Sequence, residues 1–281
     1  MPKLMVKSSS LCLHRGPRFY FSTILVYLVI NPFLMLKDER QAFIIKQINI
    51  HNKVLSSDLA AQLRVSEDTI RRDLNELAEE NKVLKVYGGA ISKSFHYPLQ
   101  QEGVYARDAK KEIAKKAIKL IQNGMVILTG GGTTMIEIAR MLPSNLRCTL
   151  FTVSPLLALE LIESSNIDVN LIGGQLSKNS QISTGSQVIN QLSDIKADLC
   201  FMGTNGISIE NGISDSDWEV VQIKKAMISS AQKTVLVCIG EKINSVHKMK
   251  VCNLNAISYL ITDLDAKDEY LKDYAKVVKV L

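Results

Sequence analysis

The chain has 281 residues, 46% hydrophobic and 22% charged, which excludes a disordered or low-complexity protein and leaves room for two domains, one with a sizeable core. The net charge of +6 does not argue for a nucleic-acid partner by itself: residues 1–34 hold Lys3, Lys7, Arg15 and Arg18 and no acid, while 36–92 hold nine Lys or Arg against nine Asp or Glu. Cys12, Cys148, Cys200, Cys238 and Cys252 are odd in number and lack Cys-x-x-Cys spacing, and His14, His51, His96 and His247 are scattered, so reduced thiols, no zinc site and no cofactor are expected.

In chain order, Phe19 to Leu36 is an apolar run behind a basic prelude, the pattern of a signal or membrane anchor. Residues 37–51 then put Ile44, Ile45 and Ile48 on one face of a helix. Ser56 to Leu63 reads as a second helix, capped by Ser56 and packed through Leu59 and Leu63, and only Arg64 and Val65 separate it from a third. That third helix has Ser66 as N-cap, with Glu67 and Asp68 on its positive end. Ile70, Leu74 and Leu77 form its apolar stripe, Thr69, Arg72, Asp73 and Glu76 lie opposite, and Arg71 sits on the flank.

This is helix-turn-helix spacing, in which the second helix of the pair meets base edges and phosphates in the major groove. Lys82 to Ile91 alternates around Gly88-Gly89 and reads as a hairpin wing bringing Lys82 and Lys85 to the DNA backbone. The DNA-binding candidates are Ser56, Ser66, Thr69, Arg71, Arg72, Lys82, Lys85, Tyr87, Gly88 and Gly89. Taken alone, Arg71 and Arg72 read equally well as a solvated face beside Glu67, Asp68 and Asp73.

Arg40, the run Val65 to Leu74 with its Thr-Ile-Arg-Arg-Asp-Leu core, and Tyr87-Gly88-Gly89-Ala90 resemble the DeoR-type bacterial transcriptional regulators. The resemblance implies a winged helix-turn-helix domain over 35–92, double-stranded DNA as partner and a sugar-phosphate-sensing domain to follow. If Phe19–Leu36 spanned a membrane with its basic prelude inside, the helix-turn-helix would lie outside, away from DNA. No membrane partner is therefore expected, and the location is cytoplasmic. Met35 reads as the natural start, with 1–34 as upstream sequence wrongly joined; a dispensable extension and an anchor are the other readings.

Residues 93–104, with His96 and Tyr97-Pro98, read as a linker. From 105 to 281 helices alternate with apolar strands: helix 108–122, strand 125–129, helix 134–142, strand 148–153, helix 155–164, strand 169–172, helix 186–193, strand 198–202, helix 216–231, strands 234–239 and 258–262, and a helix near 266–275. The pattern predicts a Rossmann-like α/β domain with a parallel sheet covered on both faces.

Ligands of such sheets bind at carboxyl strand ends, where the first strand runs into Gly130-Gly131-Gly132-Thr133-Thr134 and a helix. Backbone N–H groups there suit a phosphate, although the same loop serves tight geometry alone. Thr152, Ser154, Gly173, Gly174, Gly185, Glu219 and Lys242 stand at other strand ends, as do Asp215 and Lys224; surface salt bridging is an equal reading for Glu219, Lys224 and Lys242.

This half also resembles the DeoR-type sensor domain, related in fold to ribose-5-phosphate isomerase. The resemblance implies a phosphate seat at Gly132, Thr133 and Thr134, with Gly173, Gly174, Gly185 and Lys242 at matching positions. It departs at Gly130, Val153 and Ile239-Gly240-Glu241-Lys242, where many members have Asp, Asn and Asp-x-Ser-Lys. Three functions stay open: a regulator, most often a repressor, answering to a phosphorylated sugar; a DNA-binding protein whose C-terminal domain only oligomerises; and an isomerase-like enzyme. The third is disfavoured, because Gly203-Thr204-Asn205-Gly206 carries no acid where the related isomerases keep one. A homo-oligomer is expected in either regulator.

Overall fold

The computed structural model describes residues 35–92, 104–162 and 166–281; the 1–34 segment and nearly all of the expected linker, His96 included, lie outside them. The N-terminal unit is three helices and a small sheet: α1 (Lys37–His51), β1 (Lys53–Leu55), α2 (Ser56–Leu63), α3 (Glu67–Glu79), β2 (Leu84–Val86) and β3 (Gly89–Ile91). Ile44 and Ile48 of α1, Leu59 and Leu63 of α2, and Ile70, Leu74 and Leu77 of α3 close one core over Val83 and Ala90. Ile45 is only partly buried against it, being one position round the helix from Ile44.

Two expectations here fail. Ser56 does not cap α2: the N-cap is Leu55, because the Ser56 backbone N–H is drawn to Gly88 O at 2.8 Å as β1 pairs with β3. Asp73 is not on the outward face of α3. It is 2% exposed and receives two hydrogen bonds from Arg40 on α1, Nε to Oδ2 and Nη2 to Oδ1 (3.0 Å), a bidentate pair that pins the recognition helix to the helix behind it.

The C-terminal unit contains α4 (Arg107–Ala117), β4 (Val126–Thr129), α5 (Thr133–Arg140), β5 (Cys148–Thr152), α6 (Pro155–Leu161), β6 (Ile167–Leu171), β7 (Gln175–Leu176), β8 (Ser183–Thr184) and α7 (Ser186–Ser193). It continues with β9 (Ala197–Gly203), β10 (Gly206–Ser208), β11 (Gly212–Asp215), α8 (Trp218–Ser229), β12 (Ala231–Val237), β13 (Met249–Cys252), β14 (Tyr259–Ile261) and β15 (Lys279–Val280). Seven strands form a parallel sheet in the order β15-β14-β12-β9-β4-β5-β6.

Because side chains alternate along a strand, neighbouring residues serve different layers. Ile127, Leu199, Phe201, Val235 and Val237 pack under α4, α5 and α6, while Leu128, Cys200, Met202, Leu236 and Cys238 pack against α7 and α8. Both layers were legible as apolar runs.

The expected helix near 266–275 is absent; two short 3₁₀ turns, Glu269–Leu271 and Tyr274–Lys276, stand there. Leu271 and Tyr274 are the buried residues of these turns, and a spacing of three suits a 3₁₀ turn as well as an α-helix. An antiparallel ribbon of β10, β11 and β13, and the β7–β8 pair, were not anticipated. No helix among the described residues is long and apolar enough to cross a membrane.

Candidate nucleic-acid interface and ligand cavity

The recognition helix starts as its residues dictate. Ser66 Oγ accepts from the Thr69 N–H at 3.2 Å, and the preceding turn closes because Arg64 adopts the left-handed conformation at φ 53°. Ser66, Arg71 and Arg72 are exposed and Thr69 half-buried, so the first two turns of α3 present hydroxyls and guanidinium groups outward. Arg71 is held by Glu67 and Asp68, both at 3.3 Å, exposed pairs that DNA phosphates can replace with little loss.

On the wing, Tyr87 at the β2–β3 turn is fully exposed, 103%, and Gly88 turns the chain at φ +74°. Lys85 bonds to Asn75 of α3 and Lys82 pairs with Glu80 at 2.7 Å, both at the surface. The structure separates two candidates from this surface. Ser56 is buried, and Gly89 lies inside the β1–β3 contact, where a Cβ would meet Val54 O at 1.9 Å.

In the C-terminal unit the chain runs β4, β5, β6 to one side of the sheet and β9, β12, β14, β15 to the other. The order reverses between β4 and β9, and a crevice opens there at the carboxyl ends of the strands. Gly130 N donates to Phe201 O at 2.9 Å, carrying the ladder past the end of β4. Gly132, at φ +106°, then turns the backbone into α5 and leaves the first N–H groups of that helix facing the crevice.

The cavity has a volume of about 180 Å³ and is lined by Gly130 to Thr134, by Gly203 to Asn205 at the carboxyl end of β9, and by Asp215, Lys224, Lys242 and Lys110. Thr152, Ser154, Gly173, Gly174, Gly185 and Glu219 do not line it. Thr152 Oγ1 donates to Thr129 O at 3.3 Å, and Ser154 caps α6. Gly173 O accepts from Gln191 Nε2 at 2.9 Å, a Cβ on Gly174 would strike Val188, and Gly185 is the N-cap of α7. Glu219 accepts from Thr184 Oγ1 at 3.0 Å. These residues brace the loops around the site.

Four of the charged side chains in the cavity fall into two sets. Lys224 Nζ meets Asp215 Oδ2 at 2.7 Å, and Asp215 also accepts from Asn205 Nδ2 at 2.9 Å. Burial works against the Asp215 carboxylate, yet Lys224, the Ser216 N–H and Asn205 together hold its pKa below the usual value. The second set faces carbonyls: Lys242 Nζ donates to Thr204 O at 3.0 Å and Lys110 Nζ to Tyr105 O. Burial, with the Lys242 charge adding, pushes the Lys110 ammonium down to about 7; burial likewise brings Lys242 to about 8. Two lysine ammonium groups, one buried and one half-buried, lining a cavity with a helix N-terminus are groups that can attract an anion.

Lys110 was missed because its position, in the first turn of α4 within Arg107-Asp108-Ala109-Lys110-Lys111, reads as an ordinary solvated charge. His51 and His247, 196 residues apart in sequence, also meet here: His51 Nδ1 lies 3.1 Å from His247 Nε2. Burial, with His247 and Lys242 adding, pushes His51 down to about 4. No group of three His, Cys, Asp or Glu suited to a metal occurs among the described residues. Cys148, Cys200 and Cys238 are buried free thiols and Cys252 a half-buried one; Cys12 lies outside the described residues.

Two family profiles match the chain: a DeoR-like helix-turn-helix domain over residues 40–95 and a DeoR C-terminal sensor domain over residues 106–264. The chain is similar to the HTH-type transcriptional repressor GlcR of Bacillus subtilis (strain 168), 32% identical over 232 residues, 82% of this chain and 89% of the relative. It is also similar to the L-fucose operon activator of Escherichia coli (strain K12), 29% identical over 237 residues, 81% of this chain and 96% of the relative. Among solved structures, ribose 5-phosphate isomerase A of Methanocaldococcus jannaschii matches 48% of this chain and 54% of its own at 20% identity, with a TM-score of 0.36.

Proposed function

The chain belongs to the DeoR family of DNA-binding transcriptional regulators, and we propose that it is a repressor of sugar-metabolism genes whose hold on DNA is modulated by a phosphorylated sugar. Its relatives are regulators rather than enzymes, and so is this chain. Residues 35–92 read DNA, 93–104 link, and 105–281 sense the sugar phosphate and join copies into a homo-oligomer that offers two reading helices to repeated half-sites. The protein works in the cytoplasm, where its DNA is.

The observation that carries the ligand reading is the pairing of Gly130 to Thr134 with Lys110 and Lys242 around one cavity. The phosphate sits at the start of α5, Thr133 and Thr134 donate to it, and the two ammonium groups neutralise it. Asp215, Lys224 and Asn205 supply both donors and acceptors for sugar hydroxyls. Repression is the sign favoured by the name of GlcR; the fucose activator makes the opposite sign the alternative outcome.

The test is fluorescence anisotropy of the full chain on DNA from its own promoter region at fixed salt, with hexose and pentose phosphates added singly. One of them should release the DNA, and Thr133→Val should bind DNA normally but ignore that sugar phosphate. Specific DNA binding that no sugar phosphate shifts would overturn the sensing role and leave the C-terminal domain as an oligomerisation module.

A further inference from the structure

The wall of the cavity does not come from the sensor domain alone. Asn49, His51, Asn52 and Lys53 also line it. They are the end of α1, its left-handed C-cap at Asn52 (φ 62°) and the first residue of β1, all parts of the winged helix-turn-helix unit. Apart from the His51–His247 contact, Asn52 Nδ2 donates to Asn205 Oδ1 at 3.4 Å, and the exposed pair Lys248–Asp58 stands at 3.7 Å. Each of these polar contacts contributes little in the presence of water.

We propose that the anion site is bipartite: the loop Gly130 to Thr134 seats the phosphate, and Lys53 and Asn52 of the DNA-binding domain complete the site across the domain boundary. The proposal rests on the sugar-phosphate reading above and adds to it the residues that would transmit the signal. Lys53 and Asn52 offer N–H donors and line the same cavity as Lys110 and Lys242. A ligand touching both units binds the docked arrangement better than any other, and that difference in affinity is the requirement for shifting a conformational equilibrium. Asn52 and Lys53 are also tied to the wing. The Asn52 carbonyl accepts from Ser92 N at 2.8 Å, and Lys53 and Val54 of β1 pair with Ile91 and Ala90 of β3. By reciprocity, DNA that requires another domain placement weakens the ligand.

The test is calorimetric titration of the full chain, without DNA, with glucose 6-phosphate and then the other hexose and pentose phosphates, on wild type, Lys53→Gln, Lys53→Arg and Asn52→Asp. Losing one charge-assisted contact should raise Kd roughly tenfold in Lys53→Gln, and Lys53→Arg should restore most of the affinity. Asn52→Asp keeps a residue that tolerates the left-handed region but sets a carboxylate against the anion, so it should bind more weakly than wild type and serves if Lys53→Gln does not fold. Wild-type affinity in both Lys53→Gln and Asn52→Asp overturns the bipartite site and leaves the sensing role standing. A wild-type chain that binds none of these compounds overturns both.

Discussion

The two units solve recognition in opposite ways. In the winged helix-turn-helix the candidate reading groups are contiguous and lie on α3 and its N-cap, with the buried structure behind them: Ser66, Thr69, Arg71 and Arg72 lie within seven residues, all but the half-buried Thr69 exposed, braced by the Arg40–Asp73 pair. In the sensor unit the polar groups, Lys110 and Asp215 buried and Thr133, Asn205 and Lys242 half-buried, come from the ends of several strands and from α4, and meet only because the sheet reverses its order between β4 and β9. On the proposed function, a surface that meets a large polyanion is written locally, whereas a cavity that takes up a small anion is assembled from afar.

Removing the brace is expected to have the largest effect. Asp73→Ala strands Arg40, which is 15% exposed at its side chain, without its partner, and should destabilise the N-terminal unit by about 3–5 kcal/mol; chemical denaturation followed by circular dichroism measures it. A loss under 1 kcal/mol would mean that the apolar residues of that core position α3 unaided. On the reading surface, Arg72→Ala should weaken specific DNA binding by about 1–3 kcal/mol if it meets a base, and flatten the salt dependence by about one unit if it meets a phosphate. Anisotropy titrations at several salt concentrations separate the two, and unchanged affinity would remove Arg72 from the interface.

The sensor side is sharpened by pH. Lys110 and Lys242 titrate near 7 and 8 in the unliganded fold against about 10.4 in an unfolded chain. Between those values the unfolded chain binds more protons, so the stability of the unliganded protein should rise with pH across this range. In the proposed site the anion needs the ammonium forms, so its affinity should move the other way, falling by up to about tenfold per pH unit once the pH passes the free-state pKa of a contacting lysine. Thermal unfolding with and without ligand from pH 6.5 to 9.5 reads both trends. A ligand-induced shift that does not change with pH would remove these lysines from the site.

The same contrast explains what the sequence made legible. The capped helix, its apolar stripe and the wing could be read because each rests on residues within one or two turns of one another, and the alternation of apolar strands with helices disclosed the parallel sheet. Local periodicity carries no information about which charges a fold will bury. Asp73 follows Arg71 and Arg72 and looks like their solvated neighbour, yet it points inward to a residue 33 positions away. Lys110 looks like part of a basic helix face, and His51 and His247 look unrelated. Thr152, Ser154 and Gly185 stand at strand ends as expected, but their hydrogen-bonding capacity goes to caps and ladders, a division that depends on loop paths.

The seven-residue stretch from Asn49 to Leu55 also bears on how modules of this kind can be exchanged. Swapping reading heads between regulators is naturally attempted by cutting in the segment near residues 93–104, which delivers a whole foreign helix-turn-helix. Such a graft discards Asn49, His51, Asn52 and Lys53 along with the native head, and so removes one wall of the chamber it is meant to leave intact. A hybrid that keeps the end of α1 and the first residue of β1 from the sensor's own parent, and takes only α2, α3 and the wing from the donor, preserves that wall while changing the operator.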